Sequence, residues 1–296
     1  MKVLNFGSMN IDHVYHLPHL VREGETLAST AYEKNAGGKG LNQSVALCKA
    51  GAEVYHAGAI GADGTFLRDM LEQAGADTRY IRLLDEPTGH AMIQVDAQGH
   101  NSIVLYAGAN RKIDRPMIEQ VLGGFARGDY LLLQNEISGL ETIIALAHEK
   151  GLCIVLNPSP ITPALARMPL DGIDWLMLNE IEGGELTGET EPERMLDALL
   201  ARYPHLRIVL TLGAKGSVYA CGQERIAQCA YPVQAVDTTA AGDTFTGYFI
   251  TGMLRGDSVA QALRSASMAS AIAVGRPGAG ASIPTRGEVD AALKNS

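Results

Sequence analysis

The chain alternates between two hydrophobic periods, and this alternation restricts its fold more than any single residue does. Short continuous apolar runs at Val3–Gly7, Val54–Ile60, Tyr130–Gln134, Cys153–Leu156, Trp175–Leu178 and Ile208–Leu212 are strand-like. Between them, Lys39–Ala50, Thr65–Ala74, Pro116–Phe125, Leu140–Lys150 and Pro192–Tyr203 carry helical spacing. A strand that is apolar throughout buries both faces, and helices between such strands supply the cover. The expectation is an α/β fold, a three-layer sandwich around a mostly parallel central sheet. At 296 residues, 46% of them hydrophobic, the chain is long enough to bury such a core.

Two segments break the rhythm. Residues 12–35 alternate polar and apolar positions without a helical stripe, and "HAMIQVDAQGHNSIVLY" reads as two strands around a turn near Ala97–Gly99. Segments 12–35 and 89–107 are expected to form a small β-sheet lid on one α/β domain spanning residues 1–296. A small sheet cannot bury both faces alone, so it must close over something or pair with a second copy. After Asp237 the pattern turns helical, over Ala241–Leu254, Val259–Val274 and Glu288–Lys294.

Charge and cysteine content narrow the function class. The formal charge is −9 with no dense Lys/Arg block, which argues against a nucleic-acid partner. The start "MKVLNFGSMNIDHVYHL" interrupts its apolar run with Asn5, Asn10 and Asp12, and reads as a buried strand, neither signal peptide nor membrane anchor. Cys48, Cys153, Cys221 and Cys229 show no CxxC spacing, so reduced thiols and a cytoplasmic location are expected.

In "DTTAAGDTFTGYF", small residues precede Asp243 at the mouth of a helix. Unsatisfied N–H groups and the helix dipole make such a terminus an anion site, with Asp243 beside whatever the anion is attached to. The structural alternative is that Asp243 only favours the helix start. In "NAGGKGLNQSVALCKAG", Gly37, Gly38 and Gly40 permit close backbone approach to a ligand, with Lys39 and Asn42 as polar contacts; a plain turn is the alternative. "LNEIEGGELTG" places Asn179 and Glu182 after a strand, where the carboxylate holds Mg²⁺ through water or completes a capping box. "TLGAKGSVY" offers Thr211, Gly213 and Gly216 to phosphates or simply turns the chain.

Other chemistries lack their residues. Glu33 and Gly40 stand where a Walker A loop needs glycine and Ser/Thr, and Gly58, Gly61 and Gly64 do not follow GxGxxG spacing, as a nicotinamide-dependent dehydrogenase would require. Pro18 disrupts any helix that would align His13, His16 and His19 as metal ligands. There is no GxSxG.

Taken in order, "GSMNID", "GGKGLNQ", "LNEIE" and "DTTAAGDTFTGYF" resemble the ribokinase-like (PfkB) sugar kinase family, over nearly the whole chain. The resemblance implies ATP as phosphoryl donor, Mg²⁺, a monovalent cation such as K⁺, and transfer to the 5-hydroxyl of D-ribose. By the same resemblance, Asn10, Asp12, Gly38, Lys39, Asn42 and Glu136 match sugar-binding positions; Asn179, Thr211, Gly213, Gly216 and Ser267 match nucleotide contacts; and Glu182 acts on Mg²⁺ through water. Ala240, Ala241 and Gly242 match an anion hole and Asp243 the catalytic base. Asp237, Thr239, Ala273, Arg276, Gly278 and Ser282 match the monovalent-cation site, and the lid sheets imply a homodimer.

Three positions depart from the family pattern: Leu41 for alanine, Ser267 for Asn or His, and Gly275 for threonine. Leu41 is expected to add bulk beside the sugar loop and alter sugar choice. Another sugar, a sugar phosphate or a nucleoside is the alternative substrate, and a non-catalytic sugar sensor the alternative class.

Overall fold

The structure, a computed structural model, describes residues 1–296. Its strands are β1 Val3–Phe6, β2 Asn10–His16, β3 Ala31–Gly37, β4 Val54–Ile60, β5 Asp77–Leu83, β6 Gly89–Val95, β7 Asn101–Tyr106, β8 Tyr130–Gln134, β9 Cys153–Asn157, β10 Trp175–Asn179, β11 Arg207–Thr211, β12 Ser217–Cys221 and β13 Glu224–Gln228. Its helices are α1 Lys39–Ala50, α2 Thr65–Ala74, α3 Arg115–Leu122, α4 Leu140–Lys150, α5 Pro163–Arg167, α6 Glu180–Thr187, α7 Pro192–Arg202, α8 Ala241–Arg255, α9 Val259–Val274 and α10 Arg286–Lys294.

Nine strands form one sheet in the order β13-β12-β11-β10-β9-β8-β1-β4-β5. Its pairings are parallel from β5 through β11 and antiparallel only at β11/β12 and β12/β13. Alternate residues of each central strand enter opposite cores, as a period of two requires. Leu131, Leu133, Leu176 and Leu178 join a cluster of 36 buried residues with Met117, Ile143 and Leu199 from α3, α4 and α7. Leu132, Trp175, Met177 and Val209 join a cluster of 30 with Leu41, Leu67, Phe249 and Leu263 from α1, α2, α8 and α9. This is the expected three-layer α/β sandwich.

Strand order reverses at β1. The chain runs outward through β4 and β5, then returns to the other side of β1 as β8 and runs outward again to β11. Ligand crevices of open parallel sheets lie at the carboxyl ends of the strands beside such a reversal. Here Ser8 follows β1 and Glu136 follows β8, and the Ser8 hydroxyl donates to the Glu136 carboxylate across the gap.

The remaining strands form a separate sheet, β3-β2-β6-β7. Its turn at residues 97–99 is closed by the Gly99 N–H donating to Asp96 O at 3.0 Å. Every residue of β7 is exposed, including Ile103, Val104, Leu105 and Tyr106.

Candidate active site

Helix α8 begins after Ala240, the one non-glycine residue with a positive φ (59°, ψ 11°). A left-handed alanine costs about 1–2 kcal/mol, so the surrounding structure must enforce it. The Ala240 carbonyl accepts both the Thr244 N–H and the Thr244 hydroxyl, each at 2.8 Å, which fixes the turn. The Ala241 N–H donates to Thr238 O at 3.2 Å. First-turn N–H groups have no partner within a helix, so those of Gly242 and Asp243 face the pocket ahead of the helix.

The Asp243 carboxylate does not cap its own helix. Its Oδ1 accepts from Gln43 Nε2 at 2.9 Å and its Oδ2 from Asn42 Nδ2 at 3.3 Å, both donors on α1. Only 7% of Asp243 is exposed, so it lies in the protein with its charge compensated by donated hydrogens. Burial pushes its pKa up, opposed by the Lys39 charge and by the Gln43 and Asn42 amides.

Asn10, Asp12, Gly38, Lys39, Asn42 and Glu136 gather on the α1 side of Asp243. Asn10 Oδ1 accepts from Asn110 Nδ2 at 2.8 Å, and Asn110 also holds the Met9 backbone. Asp12 follows two residues later on β2, against Gly37 of β3, where a Cβ would run into the Asp12 carboxylate. Burial, helped by the negative Glu136, raises the Asp12 pKa from 3.8 to about 6. Glu136 also accepts the Lys39 N–H at 3.0 Å. Asn42 Oδ1 is buried without a partner, although its amide nitrogen is engaged.

On the other side of α8 lies a cavity of about 620 Å³ whose lining includes Thr211, Gly213, Gly216, Gly242, Ser267 and Val233. A second pocket of about 60 Å³ connects the two regions, with Lys39, Asn157, Glu182, Thr211, Gly242 and Asp243 in its wall. Asn179 belongs to the same wall and caps α6: its Oδ1 accepts the Glu182 N–H at 2.9 Å, and Glu182 Oε2 accepts the Asn179 N–H at 3.0 Å. The capping box is therefore present, and Glu182 is at the same time part of the pocket wall.

Of the expected cation residues, hydrogen bonds join Asp237, Thr239 and Gly278 from two segments. Asp237 Oδ1 accepts the Thr239 N–H at 2.9 Å and Oδ2 the Gly278 N–H at 3.0 Å. The Val274 carbonyl accepts from Val236 and Asp237, lacing the segments further. The Arg276 guanidinium turns away to Glu288 at 2.7 Å, and the Ser282 hydroxyl donates to Ala279 O at 2.8 Å. Ala273 is buried at the end of α9. Asp237 is the one carboxylate among these residues, and a single hard oxygen donor of unit charge fits a monovalent cation.

Sequence reasoning missed Ser8, Gln43, Asn110, Gln134 and Asn157. All are neutral polar residues, and of them Ser8, Gln43, Asn110 and Gln134 are buried, which no local pattern announces. Leu41 requires a correction. Its side chain is fully buried in the apolar cluster that also holds Met9, Ile11 and Val45, so its bulk goes into the core at the start of α1. The three histidines of "HVYHLPH" likewise diverge: His13 contacts Tyr32, His16 contacts Glu33 and His19 contacts Glu25.

This arrangement has relatives. The profile of pfkB family carbohydrate kinases matches residues 1–286. The chain belongs to that family. As a pfkB family carbohydrate kinase it is a phosphotransferase acting on a sugar hydroxyl. It is 40% identical to the ribokinase of Haemophilus influenzae over 292 residues, covering 95% of both chains. Among solved structures it resembles ribokinase of Cryptococcus neoformans in complex with ADP (38% identity, TM-score 0.86, 99% of each chain). It also resembles the ribokinase of Arabidopsis thaliana complexed with ribose and ATP (33% identity, TM-score 0.88, 100% of this pfkB kinase and 99% of that chain).

Proposed function

We propose that the protein transfers the γ-phosphoryl group of ATP to the 5-hydroxyl of D-ribose, with Asp243 as general base. The observation that carries this reading is the place of the Asp243 carboxylate. At the N-terminus of α8 it accepts from Asn42, feels the Glu136 charge, and stands with Lys39 and Glu182 in the wall of the small pocket that shares Thr211 and Gly242 with the 620 Å³ cavity.

Asp243 takes the hydroxyl proton as the oxygen attacks phosphorus, and the bond to the bridging oxygen of ADP breaks. The N–H groups of Gly242 and Asp243, joined by Ala241 when it leaves Thr238 O, face the charge that builds on the transferred oxygens. Aimed in advance, such donors contribute more than proton abstraction does. Most of the remaining acceleration comes from holding attacker and phosphoryl group in line. Thr211, Gly213, Gly216 and Ser267 line the nucleotide cavity, with Asn179 beside the phosphates.

Glu182 suits Mg²⁺ held through water, because this ion keeps most of its waters and uses few protein carboxylates. When bound, Mg²⁺ neutralises phosphate charge. Asp237 and the carbonyls around Thr239, Ala273, Arg276 and Gly278, with Ser282, would hold K⁺ behind the anion site and brace its backbone. The small sheet acts as a lid that excludes water, and its exposed β7 supports pairing with a second copy of the chain. Four unpaired thiols favour the cytoplasm. No helix is long and apolar enough to cross a membrane.

A coupled ADP-release screen of pentoses, 2-deoxyribose, hexoses and nucleosides, with K⁺ present or replaced by a large organic cation, tests this reading. D-Ribose with K⁺ is expected to give the highest kcat/KM. Activity with none of these acceptors would return the protein to the sensor class.

A further inference from the structure

Gln43 closes the "GGKGLNQ" motif, and no role for it follows from sugar or nucleotide binding. It is fully buried, as are Asn5, Ser44, Gln134 and His56, and these side chains form one chain of hydrogen bonds ending at Asp243. Gln43 Nε2 donates to Asp243 Oδ1 at 2.9 Å and lies 3.4 Å from Asn157 Oδ1. Gln43 Oε1 accepts from Gln134 Nε2 at 2.6 Å, and Gln134 Nε2 donates also to Asn5 Oδ1 at 3.0 Å. Asn5 Nδ2 donates in turn to Gly40 O at 2.7 Å and to Ser44 Oγ at 2.8 Å, and Ser44 Oγ meets His56 Nδ1 at 2.8 Å.

The direction of this chain follows from chemistry. An ionised carboxylate only accepts, so the nitrogen of Gln43 must face Asp243 and its oxygen must face away. That oxygen needs a donor, which orients Gln134, and Gln134 in turn is fixed by Asn5. Ser44 accepts from Asn5 and also meets His56 Nδ1, and burial keeps the His56 ring neutral by pushing its pKa down to about 4. Gln43 and Gln134 thus each aim an amide nitrogen toward Asp243, while Asn5 presents its oxygen to Gln134 and sends its own hydrogens to Gly40 and Ser44; two aligned hydrogen bonds of this kind strengthen one another in a dry interior.

The two carboxylate oxygens are held unequally. Oδ1 has the shorter bond, to Gln43, whose oxygen is engaged as well; Oδ2 has a 3.3 Å bond to Asn42, whose oxygen has no partner, and the one oxygen without a partner on the Gln43 side is Gln134 Oε1, a residue further back. We propose that Gln43, locked by Gln134 and Asn5, is a positioning residue that fixes Oδ1 of Asp243 and leaves Oδ2 to take the proton of the attacking hydroxyl. Gln43 touches neither sugar nor nucleotide in this account, and the inference rests on Asp243 acting as the base. The charged groups that face Asp243 are Lys39 from α1, Glu136 from the loop after β8 and Glu182 from α6. Removing the Gln43 amide leaves all three in place.

The test compares the full-length protein with Gln43→Leu, Gln43→Glu, Gln134→Leu and Asp243→Asn. It measures kcat, KM for D-ribose and for ATP, and the acid limb of kcat against pH. Gln43→Leu is expected to lower kcat by about 10–10²-fold, the scale of a misplaced catalytic group, while both KM values stay within about threefold. Its acid limb moves to higher pH, because a donor that favoured the ionised carboxylate is gone. Gln43→Glu keeps the side-chain shape and moves the limb further the same way, since two adjoining carboxyls share a proton; it decides the matter if Gln43→Leu does not fold. Gln134→Leu gives a smaller change of the same sign. An unmoved acid limb with kcat within threefold in Gln43→Glu, while Asp243→Asn is strongly impaired, overturns the positioning role and leaves Asp243 as base. Near-parental turnover in Asp243→Asn overturns the base assignment instead.

Discussion

The two carboxylates that we assign to sugar recognition and to proton transfer, Asp12 and Asp243, sit in different surroundings. Asp243 accepts two amide hydrogens, whereas Asp12 rests against Gly37 with its charge opposed by burial and by Glu136. A raised carboxyl pKa means that Asp12 is protonated at low pH and gains its charge as pH rises through about 6. If ionised Asp12 accepts sugar hydroxyl hydrogens, KM for D-ribose should fall as pH rises through that value, and the dependence should vanish in Asp12→Asn. Initial-rate measurements between pH 5 and 8 check this; a KM that is flat in the parent protein removes Asp12 from sugar recognition. At this scale, Asp243 was legible because an acid after small residues at a helix mouth is a local pattern. Gln43, Gln134 and Asn5 were not, since each acts through a partner far away in sequence, and only the folded sheet brings them together. Leu41 opens α1 right after the glycine turn, and the motif alone does not say that this face of the helix is the one turned into the core.

The crossing of α1 and α8 delivers Asn42 and Gln43 to Asp243, and it depends on one absent side chain. A Cβ at Gly247 would lie 2.5 Å from Ala46 Cβ and 2.8 Å from the Leu47 nitrogen. Alanine is ordinarily the better helix former by about 1 kcal/mol, yet here it would wedge the helices apart. Gly247→Ala should therefore lower stability by about 1–3 kcal/mol, as overpacking does, and lower kcat with it. Thermal melts and initial rates test this, and a higher Tm would refute the close-contact account. The central strands and the long helices stood out in the sequence because continuous burial leaves an unbroken apolar run. The edge strands did not: β5 reads "DTRYIRL" and β13 "ERIAQ", half-exposed segments whose polar residues hide them, and β12 was obscured by the glycine turn before it.

For the whole molecule, the small sheet is the part that cannot stand alone. Leu105 is 62% exposed and shares its row with Ala91 and Asp12, on the face that carries Ile103, itself 51% exposed. Contiguous apolar surface of this kind marks an interaction site, and a second lid sheet is the occupant the family resemblance suggests. Light scattering should give the mass of a dimer for the parent protein and of a monomer for Leu105→Glu; a monomeric parent would refute the pairing. Lid, sheet reversal and the α1/α8 crossing all converge on one carboxylate, so the account stands or falls with Asp243. The most direct measurement is the single-turnover rate of D-ribose phosphorylation by Asp243→Asn at saturating ATP, with ribose affinity measured alongside by calorimetry. A rate lower by about 10²–10⁴-fold with ribose affinity retained is expected for loss of a general base. A rate close to that of the parent would contradict the account.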